Sequence, residues 1–260
     1  LKAFLEYADH ALLMNYPIHL KFNTGLNRLG LWNNEIPLIL SKIEESKNVK
    51  IKSLFSHLAA SEDRNEREFT IGQLNNFAAV VKRMYQHLDY KPMIHTLNTS
   101  GVVNYPQAQF DMVRIGIGMY GFGNDPQETA QLKNTHILKS IISQIHSIEP
   151  GETAGYNRAF VSKGFTKMAT IPIGHADGIS RRLGNEKGYV TIAGRQAPII
   201  GNVCMDMIMV DITKIDCREG DEVVIFGKQE DILHMADIAE TISYEILTAI
   251  SQRIKRMLML

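Results

Sequence analysis

The sequence predicts an α/β protein in two parts: a parallel βα part, read as half of a β/α barrel, over residues 1–125, then a β-rich part over 126–260. Two observations predict it. In the first part each short apolar run is followed by a polar loop and then a helical pattern, which is the order of a parallel sheet with crossover helices. From about Thr135 the helical periodicity stops and short strands recur between Gly, Asp and Pro turns.

The elements follow in order. Residues 2–14 are helical in pattern. Ile18 to Phe22 alternates apolar and polar residues as a strand does, until Thr24-Gly25 breaks it. A helix is expected near 36–46 and a strand over 50–56. Residues 66–88 form the strongest amphipathic helix, with Leu74, Phe77, Ala78, Val81, Met84 and Tyr85 on one stripe. A short strand at Pro92–His95, a short helix at 100–105 and a further strand at Met112–Arg114 complete the first part. The segment 121–127 reads as a linker. Strands are then expected over 136–148, 167–173, 188–193, 196–200, 206–212 and 222–226, followed by a helix at 234–242.

Composition excludes several classes of function. Lys+Arg and Asp+Glu both number 28, so no basic excess points to nucleic acid or an anionic membrane. No apolar run approaches the roughly 20 residues of a membrane helix. The two cysteines, Cys204 and Cys217, form neither a disulfide framework nor a zinc pattern, which fits a reducing, cytoplasmic setting. The chain opens Leu-Lys-Ala inside a helical pattern, so a fragment or processed form is expected.

Lys21, His57, Asn98-Thr99 and Arg114 each stand at or just after an expected strand. In a β/α barrel such positions converge on the C-terminal face, where active sites form. Only about four βα units are legible, whereas a closed barrel needs eight.

Eight segments, in this order along the chain, resemble the bacterial alanine racemase family. They are Lys21-Phe-Asn-Thr-Gly-Leu-Asn-Arg28-Leu-Gly30, Ser56-His57-Leu-Ala-Ala, His95-Thr-Leu-Asn98-Thr99-Ser100, Asp111-Met-Val-Arg114-Ile-Gly116-Ile117-Gly-Met-Tyr120-Gly121, Ala154-Gly155-Tyr156, Ile171-Pro-Ile-Gly174-His-Ala-Asp177-Gly178, Gly201-Asn-Val-Cys-Met205-Asp206 and Ser243-Tyr244-Glu245-Ile246. No one motif is decisive; the set in order is. The resemblance runs from about residue 10 to 256 and is to the C-terminal two-thirds of an alanine racemase only. It implies the C-terminal half of a (β/α)8 barrel that binds pyridoxal 5'-phosphate (PLP), followed by a β domain. It also implies a homodimer whose active sites each join one subunit's barrel to the partner's β domain, and interconversion of L- and D-alanine for peptidoglycan.

The resemblance further implies roles for residues. Arg114 would donate a hydrogen bond to the pyridine nitrogen without giving up its proton, since arginine stays protonated at accessible pH. Read without the family, Arg114 is a structural arginine, but one that is costly to bury without a partner. Thr99, Gly116 and Ile117 would hold the cofactor phosphate, with Tyr244 adding its phenol. Tyr156 would be a catalytic base acting in the partner's site. A phenol ordinarily ionises near pH 10, so it needs help; His57 would contact it and Arg114 would back His57. By itself His57 reads equally as a satisfied strand-end histidine. Arg28 would contact the cofactor and, with the Met205 backbone N–H, the substrate carboxylate. Asp206 would line the substrate channel. Lys21 matches a lysine often carbamylated in the family, a modification that would brace Arg28.

Two residues depart from the family pattern. Asn23 stands where Asp is common, and His175 where Tyr is common. The family's covalent cofactor lysine lies on the first barrel strand, and every lysine here lies outside that motif. The resemblance therefore leaves open an inactive racemase fragment or a domain of a fusion. A related PLP amino-acid decarboxylase is the remaining alternative; its acidic partner for the pyridine nitrogen disagrees with Arg114. A single-domain PLP-homeostasis protein disagrees with the β part.

Overall fold

The computed structural model describes residues 1–46 and 48–259, so the last residue of the expected second part lies outside the described residues. The chain divides into two compact units. One comprises residues 1–119 and 123–133; the other comprises 120–122 and the chain from 134.

The first unit alternates helices and parallel strands: α1 (Lys2–His10), β1 (Tyr16–Lys21), α2 (Ile36–Ser46), β2 (Val49–Phe55), α3 (Arg67–His87), β3 (Met93–His95), α4 (Thr99–Asn104) and α5 (Pro126–Ala130). The strands form a parallel sheet in the order β1-β2-β3. Alternation decides its faces, with the register of β2 shifted by one residue between Ile51 and Ser53. Ile18 and Leu20 of β1 and Ile51 and Leu54 of β2 are buried against Ile36 and Ile39 of α2 and Phe77, Val80, Val81 and Met84 of α3. His19 and Lys21 take the other face of β1, with Ser53 paired to His19 across the sheet.

Several expectations are corrected here. The first helix ends at His10 rather than residue 14, because Leu12 enters the left-handed region at φ 51°. On α3 the stripe is rotated: Val80 and Gln73 are buried while Ala78 is exposed. The expected strand Met112–Arg114 is absent among the described residues. The Asp111 carboxylate takes the Ile94 N–H at 2.7 Å, and among the described residues the backbone bonds from this segment to β3 and its loop are Asp111 N to Ile94 O and Arg114 N to Leu97 O. The Ile94 N–H, which a ladder would pair with a backbone carbonyl, is held by a side chain instead.

The second unit is a seven-stranded sheet in the order β4-β12-β9-β10-β11-β8-β5, built from β4 (Leu138–Ile141), β5 (Gln144–Ile148), β8 (Thr166–Ile171), β9 (Tyr189–Ile192), β10 (Arg195–Ile200), β11 (Ile208–Asp211) and β12 (Glu222–Phe226). A two-stranded ribbon, β6 (Thr153–Ala154) and β7 (Phe160–Val161), stands apart from it. The single strand expected over 136–148 is two strands. At Ile142 the backbone leaves Asp221 beside β12, and at Ser143 it bonds Thr170 on β8. Strands two residues apart in sequence thus lie at opposite edges, which requires the sheet to curl. Ala169, Ile171, Val190, Ile192, Ala197, Ile199, Val210 and Val223 fill its core. The late helix is α6 (Gln229–Ala239), earlier than expected, and a second helix, α7 (Ser243–Ala249), follows it. No helix among the described residues is long and apolar enough to cross a membrane.

Candidate active site

The strand ends of the first unit gather the expected residues around Arg114. Its Nη2 donates to Ser56 O at 2.8 Å, to His57 Nδ1 at 3.2 Å and to Thr96 O at 3.3 Å. Its Nη1 donates to His95 Nδ1 in a short hydrogen bond. The guanidinium lies over the Phe55 ring at 5.3 Å, and Phe55 stacks on His95 at 5.0 Å. Arg114 reaches these groups from a loop rather than a strand, so β2 and β3 supply the acceptors and the loop supplies the fork.

Arginine has donors only, so both Nδ1 atoms must accept. His57 and His95 are therefore neutral, with the proton on Nε2. Burial, then the Arg114 charge, pushes both imidazoles below their ordinary value, His95 to about 4. Burial likewise lowers Arg114, which still keeps its proton.

Lys21 ends β1 with its ammonium lowered by burial, then by Arg28 and Arg114. Arg28 is exposed on the turn after it. Among the described residues none of Lys21, Arg28 and Arg114 forms an ion pair, so the site carries unpaired positive charge. The turn between Lys21 and Arg28 is held by Asn23, whose Oδ1 accepts from the backbone N–H of Gly25 and Asn27. An aspartate would accept the same bonds, so this departure keeps the turn. Gln73 of α3 fixes the turn from behind: its Nε2 donates to Thr24 Oγ1 and His57 O, both at 3.3 Å, and its Oε1 accepts from Ala59 N at 2.9 Å.

Thr99, Gly116 and Ile117, the residues expected to hold a phosphate, lie together. The Thr99 hydroxyl accepts from Gly116 N at 3.1 Å and Gly118 N at 3.2 Å. A Cβ on Gly118 would lie 2.8 Å from the Thr99 methyl, so glycine lets the two segments close. Ile117 is buried beneath them. Asn98 caps α4, accepting from Gly101 N at 2.9 Å.

Tyr156, Met205, Asp206 and Tyr244 belong to the second unit and are described within it. Tyr156 is 73% exposed, on a turn where Gly155, Asn157 and Arg158 all have positive φ, at 77°, 59° and 52°. Such backbone persists only where the surroundings enforce it; Asn202 Nδ2 holds the turn through Tyr156 O at 3.0 Å. Met205 is 60% exposed, and the carbonyls of Cys204 and Met205 accept from His175 N and Ala176 N, both at 2.9 Å. His175 thus holds this loop through its backbone, which any residue supplies. Asp206 bonds Arg253 Nη2 at 2.9 Å, while Arg253 Nε bonds the buried Asp177 at 2.6 Å. Tyr244 lies half-exposed on α7.

Sequence reasoning missed His95, Ser53 and His19 as members of the Arg114 network, and Arg253 as the partner of Asp206. The available signal was His19, Ser53 and His95 falling on successive expected strands.

Comparison with known proteins places both units in one family. The profile of the alanine racemase N-terminal domain matches residues 2–124, and that of the C-terminal domain matches 136–258. Both family domains are therefore represented, which corrects the expectation of a match to the C-terminal two-thirds alone. An alanine racemase of Halothermothrix orenii is 36% identical over 246 residues, which is 92% of this chain and 64% of that protein. The alanine racemase structure of Clostridium difficile 630 superposes with a TM-score of 0.85 at 30% identity, over 97% of this chain and 66% of that one. That of Bacillus anthracis with bound L-Ala-P gives a TM-score of 0.85 at 26% identity, over 96% and 67%. The chain spans 64–65% of the length of the two curated relatives that match it first. Two domain profiles that between them run from residue 2 to 258, over a fold shared with solved racemases, place the chain in the alanine racemase family.

Proposed function

We propose that this protein acts as an alanine racemase, interconverting L- and D-alanine with PLP as cofactor. The observation that carries the proposal is the Arg114 fork, held at the strand ends by two neutral histidines and two carbonyls, with no carboxylate bonded to it among the described residues. The decarboxylase alternative needs an acid at that place.

The residues suit the cofactor. Unpaired cations at Lys21, Arg28 and Arg114 favour an anionic guest, and the Thr99 and Gly116–Gly118 cradle suits a phosphate. PLP, when bound, supplies a ring that accepts electron density and so makes the Cα proton of an amino acid acidic. Arg114 donates to the ring nitrogen and keeps its proton. Thr99, Gly116, Ile117 and Tyr244 are the residues assigned to the phosphate. Arg28 and the Met205 N–H orient the substrate carboxylate, Asp206 lines the approach, and Lys21 braces Arg28 as a carbamate.

Tyr156 moves a proton at Cα on one face, acting in the partner subunit's site of a homodimer. His57 prepares it: with Nδ1 taken by Arg114, its Nε2–H is free to donate to the phenol oxygen, and a donor there favours the phenolate. Inversion needs a second proton carrier on the opposite face, the role of the family's cofactor lysine. The first unit is part of a β/α barrel, with the boundary to the β domain near residue 125, and the enzyme works in the cytoplasm.

The test follows Cα exchange and D-alanine formation from L-alanine with PLP in deuterated water. One arm uses the chain, the other the chain joined to an N-terminal segment bearing the family's first barrel strand and its lysine. The expected result is deuterated D-alanine from the joined protein and none from the chain alone. D-alanine from the chain alone, above PLP in buffer, would place the second proton carrier within residues 1–260. No D-alanine from either would overturn the substrate assignment.

A further inference from the structure

The network behind Arg114 extends further than the proposed chemistry uses. His95 is 3% exposed, and Ser53 is fully buried. His95 Nε2 lies 3.1 Å from Ser53 Oγ, and Ser53 Oγ lies 2.6 Å from His19 Nδ1. His19, Ser53 and His95 come from three successive strands of the sheet, so the line crosses it from β1 to β3.

We propose that His95 is a positioning residue for the Arg114 guanidinium, held in its Nε2–H tautomer by a one-directional hydrogen-bond line through Ser53 to His19. The direction follows from donor chemistry. Arg114 only donates, so His95 Nδ1 accepts and its proton sits on Nε2. That N–H donates to Ser53 Oγ, and the Ser53 hydroxyl donates its one proton to His19 Nδ1. In the other tautomer of His95 an N–H would face the Arg114 N–H, and Nη1 would lose its partner. A buried guanidinium without a partner moves or draws in water. Phe55, stacked on the imidazole and lying under the guanidinium, fixes both planes, so the tautomer is the remaining variable. Burial and the Arg114 charge together keep His95 neutral at ordinary pH.

This deepens the reading of Arg114 as the group that meets the ring nitrogen, and rests on that reading for its catalytic meaning. The line itself is testable without cofactor. The full chain is labelled with 15N-histidine, and the two ring nitrogens of each histidine are read by two-bond proton–nitrogen correlation at neutral pH. The expected result is His95 with an unprotonated Nδ1 and a protonated Nε2. Ser53→Ala should convert His95 to a tautomer mixture and hasten exchange of the Arg114 side-chain protons, while Ser53→Thr, which keeps the hydroxyl, restores both. A purely packing role for Ser53 would leave the tautomer untouched.

A second pair keeps the test decisive if Ser53→Ala fails to fold. His95→Asn retains an acceptor near the Nδ1 position and should keep Arg114 exchange slow. His95→Gln retains a group near Nε2 only and should not. In the joined protein, PLP affinity should fall severalfold in Ser53→Ala and His95→Gln and return in Ser53→Thr. A protonated Nδ1 in the parent chain, an unchanged tautomer in Ser53→Ala, or the reverse order of the two His95 variants would overturn the line. A correct tautomer pattern with PLP affinity unmoved would instead remove Arg114 from the cofactor and leave the line intact.

Discussion

At the scale of the residue, Arg114 sets the protonation of its neighbours. Its charge is the second cause, after burial, of the low values of His57 and His95. Arg114→Gln should therefore raise both imidazole values, as followed by NMR titration, and should destabilise the chain by about 1–3 kcal/mol in urea unfolding, because Ser56 O and Thr96 O lose charged donors. Relief of repulsion with Lys21 and Arg28 offsets only a small part of that loss, since both are partly solvated and screened. The depressed value of His95 also has a consequence for stability. The unfolded chain takes up a proton near the ordinary 6.5, the folded chain only near 4, so the unfolded state binds more protons between the two. The stability this contributes is present above about pH 6.5 and is lost as pH falls toward 4. Denaturant midpoints at pH 7 and pH 5 should show the drop, and His95→Gln should flatten it.

At the scale of the element, glycines allow segments to close where a Cβ would collide. On Gly174 it would lie 2.4 Å from Cys204 O and 2.5 Å from Met205 O, both rigid backbone. On Gly118 it would meet a movable methyl of Thr99 at 2.8 Å. Gly174→Ala should then cost about 3 kcal/mol or more, and Gly118→Ala about 1 kcal/mol, by thermal or urea unfolding. Gly118→Ala should weaken inorganic phosphate binding more than it weakens the fold, because it displaces Thr99; equal affinity in parent and variant would remove Thr99 from the phosphate site. The core of the sheet is less forgiving: Leu54 is fully buried on β2, and Leu54→Ala should cost about 2–5 kcal/mol.

At the scale of the whole molecule, the proposed shared site makes a prediction that one subunit cannot satisfy. If the Tyr156 of one copy serves the Arg114 of the other, then Tyr156→Phe and Arg114→Gln subunits, each inactive in the joined protein, should regain roughly a quarter of parental activity when co-refolded in equal amounts, since half the dimers are mixed and each carries one intact site. No recovery from demonstrably mixed dimers would place both residues in the same subunit's site.

The sequence alone determined the order of βα units and β strands, because period-two and period-3.6 patterns are written in neighbouring residues and do not depend on distant contacts. It also determined which residues merit attention, since Lys21, His57, Thr99 and Arg114 follow expected strands. Tertiary structure decided what those residues touch. Met112–Arg114 has the composition of a strand, yet Asp111 occupies the β3 edge it would have joined. Residues 136–148 look like one strand, but a corner at Ile142 and Ser143 sends its halves to opposite edges of a curled sheet. His95 and Ser53 fall on expected strands, but their role lies in hydrogen bonds to Arg114 and His19, 19 and 34 residues away. Propensity and periodicity are local quantities; the tautomer of a buried histidine is set by whichever donor the fold brings to it.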